Sequence, residues 1–115
     1  MSEEKVEFTN YDLIYTIVKQ IPKGKVTSYG IIAKLIGGGF SARVVGYALN
    51  KASLYPDVPA HRVVNRNGLL TGRHHFNPPE KMQYLLEQEG IEIKDNQIAN
   101  FQLVLWNPLE DENYL

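Results

Sequence analysis

A chain of 115 residues with an apolar fraction of 43% supports one domain with a modest core. No apolar run approaches the ~18 residues of a membrane helix, and the opening Met1-Ser2-Glu3-Glu4-Lys5 is too acidic for a secretory signal, so neither a membrane-spanning nor a secreted protein is expected. The lack of cysteine excludes disulfides, thiolate metal sites and thiol nucleophiles, and fits a cytoplasmic protein. The net charge of −1 conceals a strong asymmetry: residues 13–79 carry nine Lys and Arg against the single acid Asp57, between acidic ends. Such a basic segment is what a nucleic-acid footprint looks like in sequence, although charges scattered over a solvated surface read the same way.

The first periodic stretch predicts a helix from Tyr11 to Ile21, with Leu13, Ile14, Ile17, Val18 and Ile21 on one face. Thr9 or Asn10 is its expected cap, and Pro22-Lys23-Gly24-Lys25 ends it. Val26-Thr27 reads as a short extended pair. Ser28 then caps a second helix, Tyr29 to Ile36, in which Ile32, Leu35 and Ile36 share a face. Gly37-Gly38-Gly39 breaks it, and Ser41 caps a third helix, Ala42 to Lys51, with Val45, Ala48 and Leu49 inward. Two short helices across a glycine turn are the pattern of a helix-turn-helix, and equally of a plain packing unit. The turn lacks the Gly-Lys-Ser/Thr of a phosphate-binding loop.

Pro56 and Pro59 keep the next segment a loop. Val63-Val64 reads as a strand, Asn65-Arg66-Asn67-Gly68 as a hairpin turn, and Leu69-Leu70 as the return. Gly72 to Pro79 is irregular. Pro79 and Glu80 open a predicted helix running to about Gln88, with Met82, Leu85 and Leu86 as its stripe, stopped by Gly90. Ile91 and Ile93 alternate as a strand, with Ile98 and Phe101 to Trp106 as its partner. The expected fold is mainly α with short β elements, a winged helix-turn-helix in one domain (1–107), followed by an acidic tail (108–115).

The stretch Pro59-Ala60-His61-Arg62-Val63 resembles the active-site motif of the O6-alkylguanine-DNA alkyltransferases, which reads Pro-Cys-His-Arg-Val. The likeness extends from about Thr9 to Gly90. It includes Ile21-Pro22-Lys23-Gly24-Lys25-Val26-Thr27-Ser28-Tyr29-Gly30, Ala42-Arg43-Val44-Val45-Gly46 and Leu85-Leu86-Glu87-Gln88-Glu89-Gly90, in the family's order and spacing. The resemblance implies the fold of the family's C-terminal domain. It also implies a helix-turn-helix in the minor groove of double-stranded DNA, and rotation of the modified nucleotide into a pocket.

By motif position Arg43 fills the vacated space, for which a planar guanidinium is suited. Tyr29 crowds the phosphate of the flipped nucleotide. Gly46 lets the helix approach the backbone, Ala42 is a further DNA-binding position of that helix, and Asn50 and Lys51 reach phosphates. The expected lesion pocket is lined by Tyr29, Pro59, Ala60, Val63, Leu69 and Arg73, where Arg73 holds the alkylated base through cation–π and hydrogen-bond contacts. In active members a histidine and a glutamate activate the cysteine; His61 and Glu89 take those positions, with Arg62 holding the turn.

Alanine has neither a lone pair to attack with nor a proton to lose. The implied protein is therefore of the family's alkyltransferase-like branch, which also carries arginine at the position of Arg73. It recognises O6-alkylguanine as a monomer, transfers no alkyl group and signals to nucleotide excision repair proteins. In a bacterium it would be cytoplasmic and nucleoid-associated when bound. His61, Arg62 and Glu89 are then a structural network, and no cofactor or metal is expected: adjacent His74 and His75 cannot both face one ion from a strand. Two other readings stand beside it. One is an alkyltransferase whose cysteine has been replaced; the other is a winged-helix regulator reading the major groove as a dimer.

Overall fold

The computed structural model describes the backbone of residues 3–110 and the side chains of residues 11–110. Helix α1 spans Glu3–Lys19, β1 Thr27–Ser28, α2 Tyr29–Ile36, α3 Ala42–Asn50 and β2 Val63–Val64. Then follow α4 at Glu80–Gln88, β3 at Ile93–Lys94, β4 at Gln97–Ile98 and the short α5 at Phe101–Val104, with 3-10 turns between and after them. The mainly helical architecture with small strands is the expected one.

Local chemistry sets the ends of α2 and α3. The Ser28 hydroxyl accepts from the Ile31 N–H and the Ser41 hydroxyl from the Val44 N–H, both at 3.2 Å. Each such cap contributes about 1 kcal/mol. Gly37, Gly38 and Gly39 have φ of 75°, 63° and 85°, a left-handed run that side chains resist, so the turn between the two helices needs all three glycines. Helix α1 starts well before Tyr11, so Thr9 and Asn10 lie within it and not at its start. The preceding Glu and Lys residues are good helix formers and let it continue. Its inward face also differs: Leu13 is 45% exposed, and Tyr15 is buried instead, its hydroxyl donating to the Ala48 carbonyl at 2.7 Å.

Two apolar clusters make up the core. The first joins α1, α2 and α3 through Ile14, Val18, Ile32, Val45 and Ala48. The second gathers Val26, Leu70, Met82, Leu86, Ile91 and Ile98. Each such aliphatic side chain, fully buried, contributes roughly 1.5–3 kcal/mol. The seam between the clusters is the parallel pair β1–β2, with Thr27 opposite Val63 and Ser28 opposite Val64. Successive strand residues point to opposite sides, so Val63 enters the first cluster and Val64 the second.

The expected return of Leu69-Leu70 onto Val63-Val64 does not form. The Asn65 side chain accepts from the Asn67 and Leu69 N–H groups and closes a local turn. Leu69 then bridges to Gln97, and the Leu70 N–H donates to the Asn96 carbonyl at 2.8 Å. β3 and β4 form an antiparallel hairpin around Asp95 and Asn96, whose φ of 52° and 60° suit a tight primed turn. Phe101 to Trp106 is not a strand. Phe101 and Val104 pack on the second cluster from α5, the Phe101 ring lies against Gly68, and only Leu105 makes a bridge, to Val26. The segment after Leu70 is also more regular than expected, a 3-10 helix at Thr71–His75. Pro108 is buried and Pro108–Glu110 forms a turn, so the packed chain continues past residue 107 into the expected tail; Asp111 to Leu115 lie outside the described residues.

Candidate nucleic-acid interface

Helix α3 packs through Val45, Ala48 and Leu49, which leaves Arg43, Gly46, Tyr47 and Asn50 together on its outward stripe at spacings of three and four residues. Ala42 beside them is exposed as well. Arg43 is exposed and makes no ion pair or hydrogen bond with any described residue. A Cβ added at Gly46 would meet nothing within 4 Å, and the same holds at Gly30 on α2. Intramolecular packing therefore gives no reason for either glycine, although glycine inside a helix costs about 0.5–1 kcal/mol relative to alanine. Lys51 lies with its ammonium 5.7 Å from the centre of the Tyr11 ring. Of the nine cations in residues 13–79, only Lys19 (with Asp57) and Arg62 (with Glu89) form ion pairs among the described residues. The other seven form no ion pair with a described residue.

Ala60 opens a 3-10 turn, Ala60–Arg62, that feeds directly into β2. Behind it lies the network expected of His61, Arg62 and Glu89. Glu89 Oε2 accepts from His61 Nε2 at 2.7 Å and Arg62 Nη2 at 2.9 Å, while Oε1 accepts from Arg62 Nε at 3.0 Å and the Gly24 N–H at 2.9 Å. Arg62 Nη1 donates to the Ile21 carbonyl at 2.9 Å. The Glu89 side chain is only 8% exposed. Burial pushes its pKa up, but the Arg62, Gly24 and His61 donors outweigh burial and bring it down to about 2. Burial lowers the pKa of His61, against the opposing pull of Glu89. The pair is thus a carboxylate accepting from a neutral imidazole that carries its proton on Nε2. In an enzyme Nδ1 would be the base for a nucleophile; the side chain at position 60 offers only a methyl group.

A cavity of about 770 Å³ borders this turn, within the ~300–1,000 Å³ range of ligand sites. Pro59 and Ala60 line it, as expected. Val63 does not: it is 1% exposed and packed into the first cluster by its pairing with Thr27. Leu69 is drawn away to the hairpin by Gln97. Arg73 is outside the wall too, its guanidinium donating to the Leu70 carbonyl three residues back at 3.0 Å. Tyr29 also lies off the wall: a Cβ at Gly72 would sit 2.9 Å from its hydroxyl, and burial raises its pKa against a hydrogen bond from Thr71. The wall instead includes Tyr55, His75, Phe76, Lys81 and Leu85. The sequence reading missed these; the aromatic residues flanking the Pro56 and Pro78 loops were the available signal.

The family described as 6-O-methylguanine DNA methyltransferase, DNA binding domain, matches residues 9–91. The chain belongs to this family. It is similar to Alkyltransferase-like protein 1 of Schizosaccharomyces pombe, 35% identical over 102 residues that cover 85% of this chain and 94% of that protein. It is also 36% identical over 109 residues to the DNA base-flipping protein of Escherichia coli, covering 91% and 81% respectively. Among solved structures it resembles S. pombe Atl1 in complex with damaged DNA containing O6-carboxymethylguanine. The TM-score is 0.76 at 33% identity, over 94% of this chain and all of that one. The fold, mainly helical with small strands, is that of this DNA-binding domain and of the alkyltransferase-like structure it matches.

Proposed function

We propose that this protein recognises O6-alkylguanine in double-stranded DNA, turns the modified nucleotide out of the stack into the cavity beside Ala60, and transfers no alkyl group. The observation that carries the reading is a methyl side chain on the cavity wall next to an intact His61–Glu89–Arg62 network. The surroundings of the reaction are kept and the acceptor is gone. The outward stripe of α3 supplies the approach: Gly46 lets the helix backbone lie against the groove, and unpaired Arg43 enters the duplex to fill the space of the flipped nucleotide. Turning a base out costs a few kcal/mol, and least for a poorly paired lesion, which favours alkylated sites. The similarity to a base-flipping protein and to a chain solved on damaged DNA supports the same reading. In this proposal the protein works as a cytoplasmic monomer, and its complex marks the site for nucleotide excision repair proteins.

The test is a titration of matched duplexes, one with O6-methylguanine and one with guanine, at about 0.1–0.2 M salt, where non-specific phosphate binding is reduced. Wild type is expected to prefer the lesion and to show no gain in mass after incubation. Arg43→Ala is expected to weaken lesion binding by about 10- to 100-fold, the equivalent of a few charge-assisted or stacking contacts. Its melting temperature should stay the same, because an exposed arginine contributes little to folding. Equal affinity of wild type for the two duplexes would refute the reading.

A further inference from the structure

Helix α3 carries one large side chain that folding does not explain. Tyr47 is 54% exposed, and no described residue makes a ring contact, hydrogen bond or ion pair with it. Tyrosine is a poorer helix former than lysine, glutamate or alanine, so an exposed position in a nine-residue helix gains nothing from it locally. Its place is specific. It stands one helical turn after Arg43 and three residues before Asn50, directly beside Gly46, whose outer side is open. Arg43 and Tyr47 are about 6 Å apart along the helix axis at ~1.5 Å per residue. That is less than two nucleotide steps at ~3.4 Å per nucleotide of one strand.

We infer that Tyr47 is a further DNA-contacting residue, its ring packed on a deoxyribose next to the site of Arg43 insertion and its hydroxyl donating to the adjoining phosphate. This rests on the DNA-binding reading above. A helix whose backbone lies close to the groove at Gly46 brings the next side chain to the groove wall, not its floor. The wall is made of sugars and phosphates. A phenol matches both: an apolar face for the sugar and one O–H donor for a phosphate oxygen. Seven cations of residues 13–79 form no ion pair with a described residue, and the stripe itself presents one guanidinium, one amide and one phenol, groups that suit a sugar-phosphate backbone. Contacts of this kind fix position on the duplex and carry no information about the lesion.

The experiment compares wild type, Tyr47→Ala, Tyr47→Phe and Arg43→Ala on the two matched duplexes across a salt series. Tyr47→Ala is expected to bind both duplexes about tenfold more weakly, leaving the preference for the lesion unchanged, with Tyr47→Phe intermediate at about threefold. The dependence on salt should keep the wild-type slope, because no cation is lost. Arg43→Ala should reduce the preference itself. Tyr47→Ala binding within twofold of wild type on both duplexes overturns the inference, as does a loss confined to the lesion duplex. Wild-type binding that is equal on both duplexes refutes lesion recognition, and a uniform loss in Tyr47→Ala would still support the contact.

Discussion

Glu89→Gln removes one titrating charge from the network and keeps its shape. The cost can be reached by two routes. A carboxyl held at about 2 against its ordinary 4.5 stabilises the fold by about 3 kcal/mol at neutral pH, at ~1.4 kcal/mol per unit. Breaking a buried pair by removing one partner costs roughly 3–5 kcal/mol, and Arg62 would be the stranded partner here. For a domain of this size that is a fall in Tm of about 10–20 °C. The pH dependence is more diagnostic than the size. As pH falls below 4.5 the unfolded chain takes up the Glu89 proton and the folded one does not. The stabilisation is therefore complete above that value and disappears toward pH 2. His61 adds a second acid-linked loss at higher pH: burial lowers its folded pKa, so below about 6.5 the unfolded histidine binds a proton that the folded one refuses. Urea unfolding of wild type and Glu89→Gln from pH 7 to pH 2 should show a gap of about 3 kcal/mol that closes between pH 4.5 and 2. Parallel pH profiles for the two proteins in that window would show that Glu89 is not held as described.

Gly46→Ala should raise stability by about 0.5–1 kcal/mol, because the added methyl meets nothing and helix propensity improves, while duplex affinity falls; unchanged affinity by titration would remove Gly46 from the contact surface. Ala60→Cys places a thiol beside neutral His61, whose Nδ1 has no partner among the described residues, and should yield slow methyl transfer from O6-methylguanine DNA. Mass spectrometry of the protein reads this directly, and no transferred methyl group after prolonged incubation would place the thiol out of reach of the imidazole.

The parts of the fold that were legible in sequence are those whose determinants are local. Helices α2 and α3 were placed by Ser28, Ser41 and the three glycines between them, and the end of α4 by Gly90. The segments that were misread depend on distant partners. Phe101 to Trp106 has the apolar density of a strand, but the ring of Phe101 is seated on Gly68, more than thirty residues away, and that contact favours a helical turn. Val63-Val64 was correctly placed as a strand and wrongly paired, because its partner is β1 and not the residues just beyond its turn. Within the site, the His61–Arg62–Glu89 assembly followed from family resemblance alone; nothing local links residues 27 or 28 apart. Arg73 was placed at the lesion by motif position, and its own loop claims the guanidinium through the Leu70 carbonyl. His75 and Phe76 reach the cavity because that loop coils as a 3-10 helix, which its histidines and prolines do not announce.

The seam at Val63 and Val64 constrains how this site can change. Two residues separate the cavity-wall methyl of Ala60 from the first valine, and the two valines serve opposite clusters. An insertion or deletion of one residue between Pro59 and Val64 would exchange their sides, and present each cluster with the side chain meant for the other. The segment is therefore free in composition at position 60 and fixed in length. Position 60 adds only a small side chain at the margin of the first cluster, where an exchange of similar size is absorbed, whereas the spacing from Pro59 to the paired strand has no such freedom.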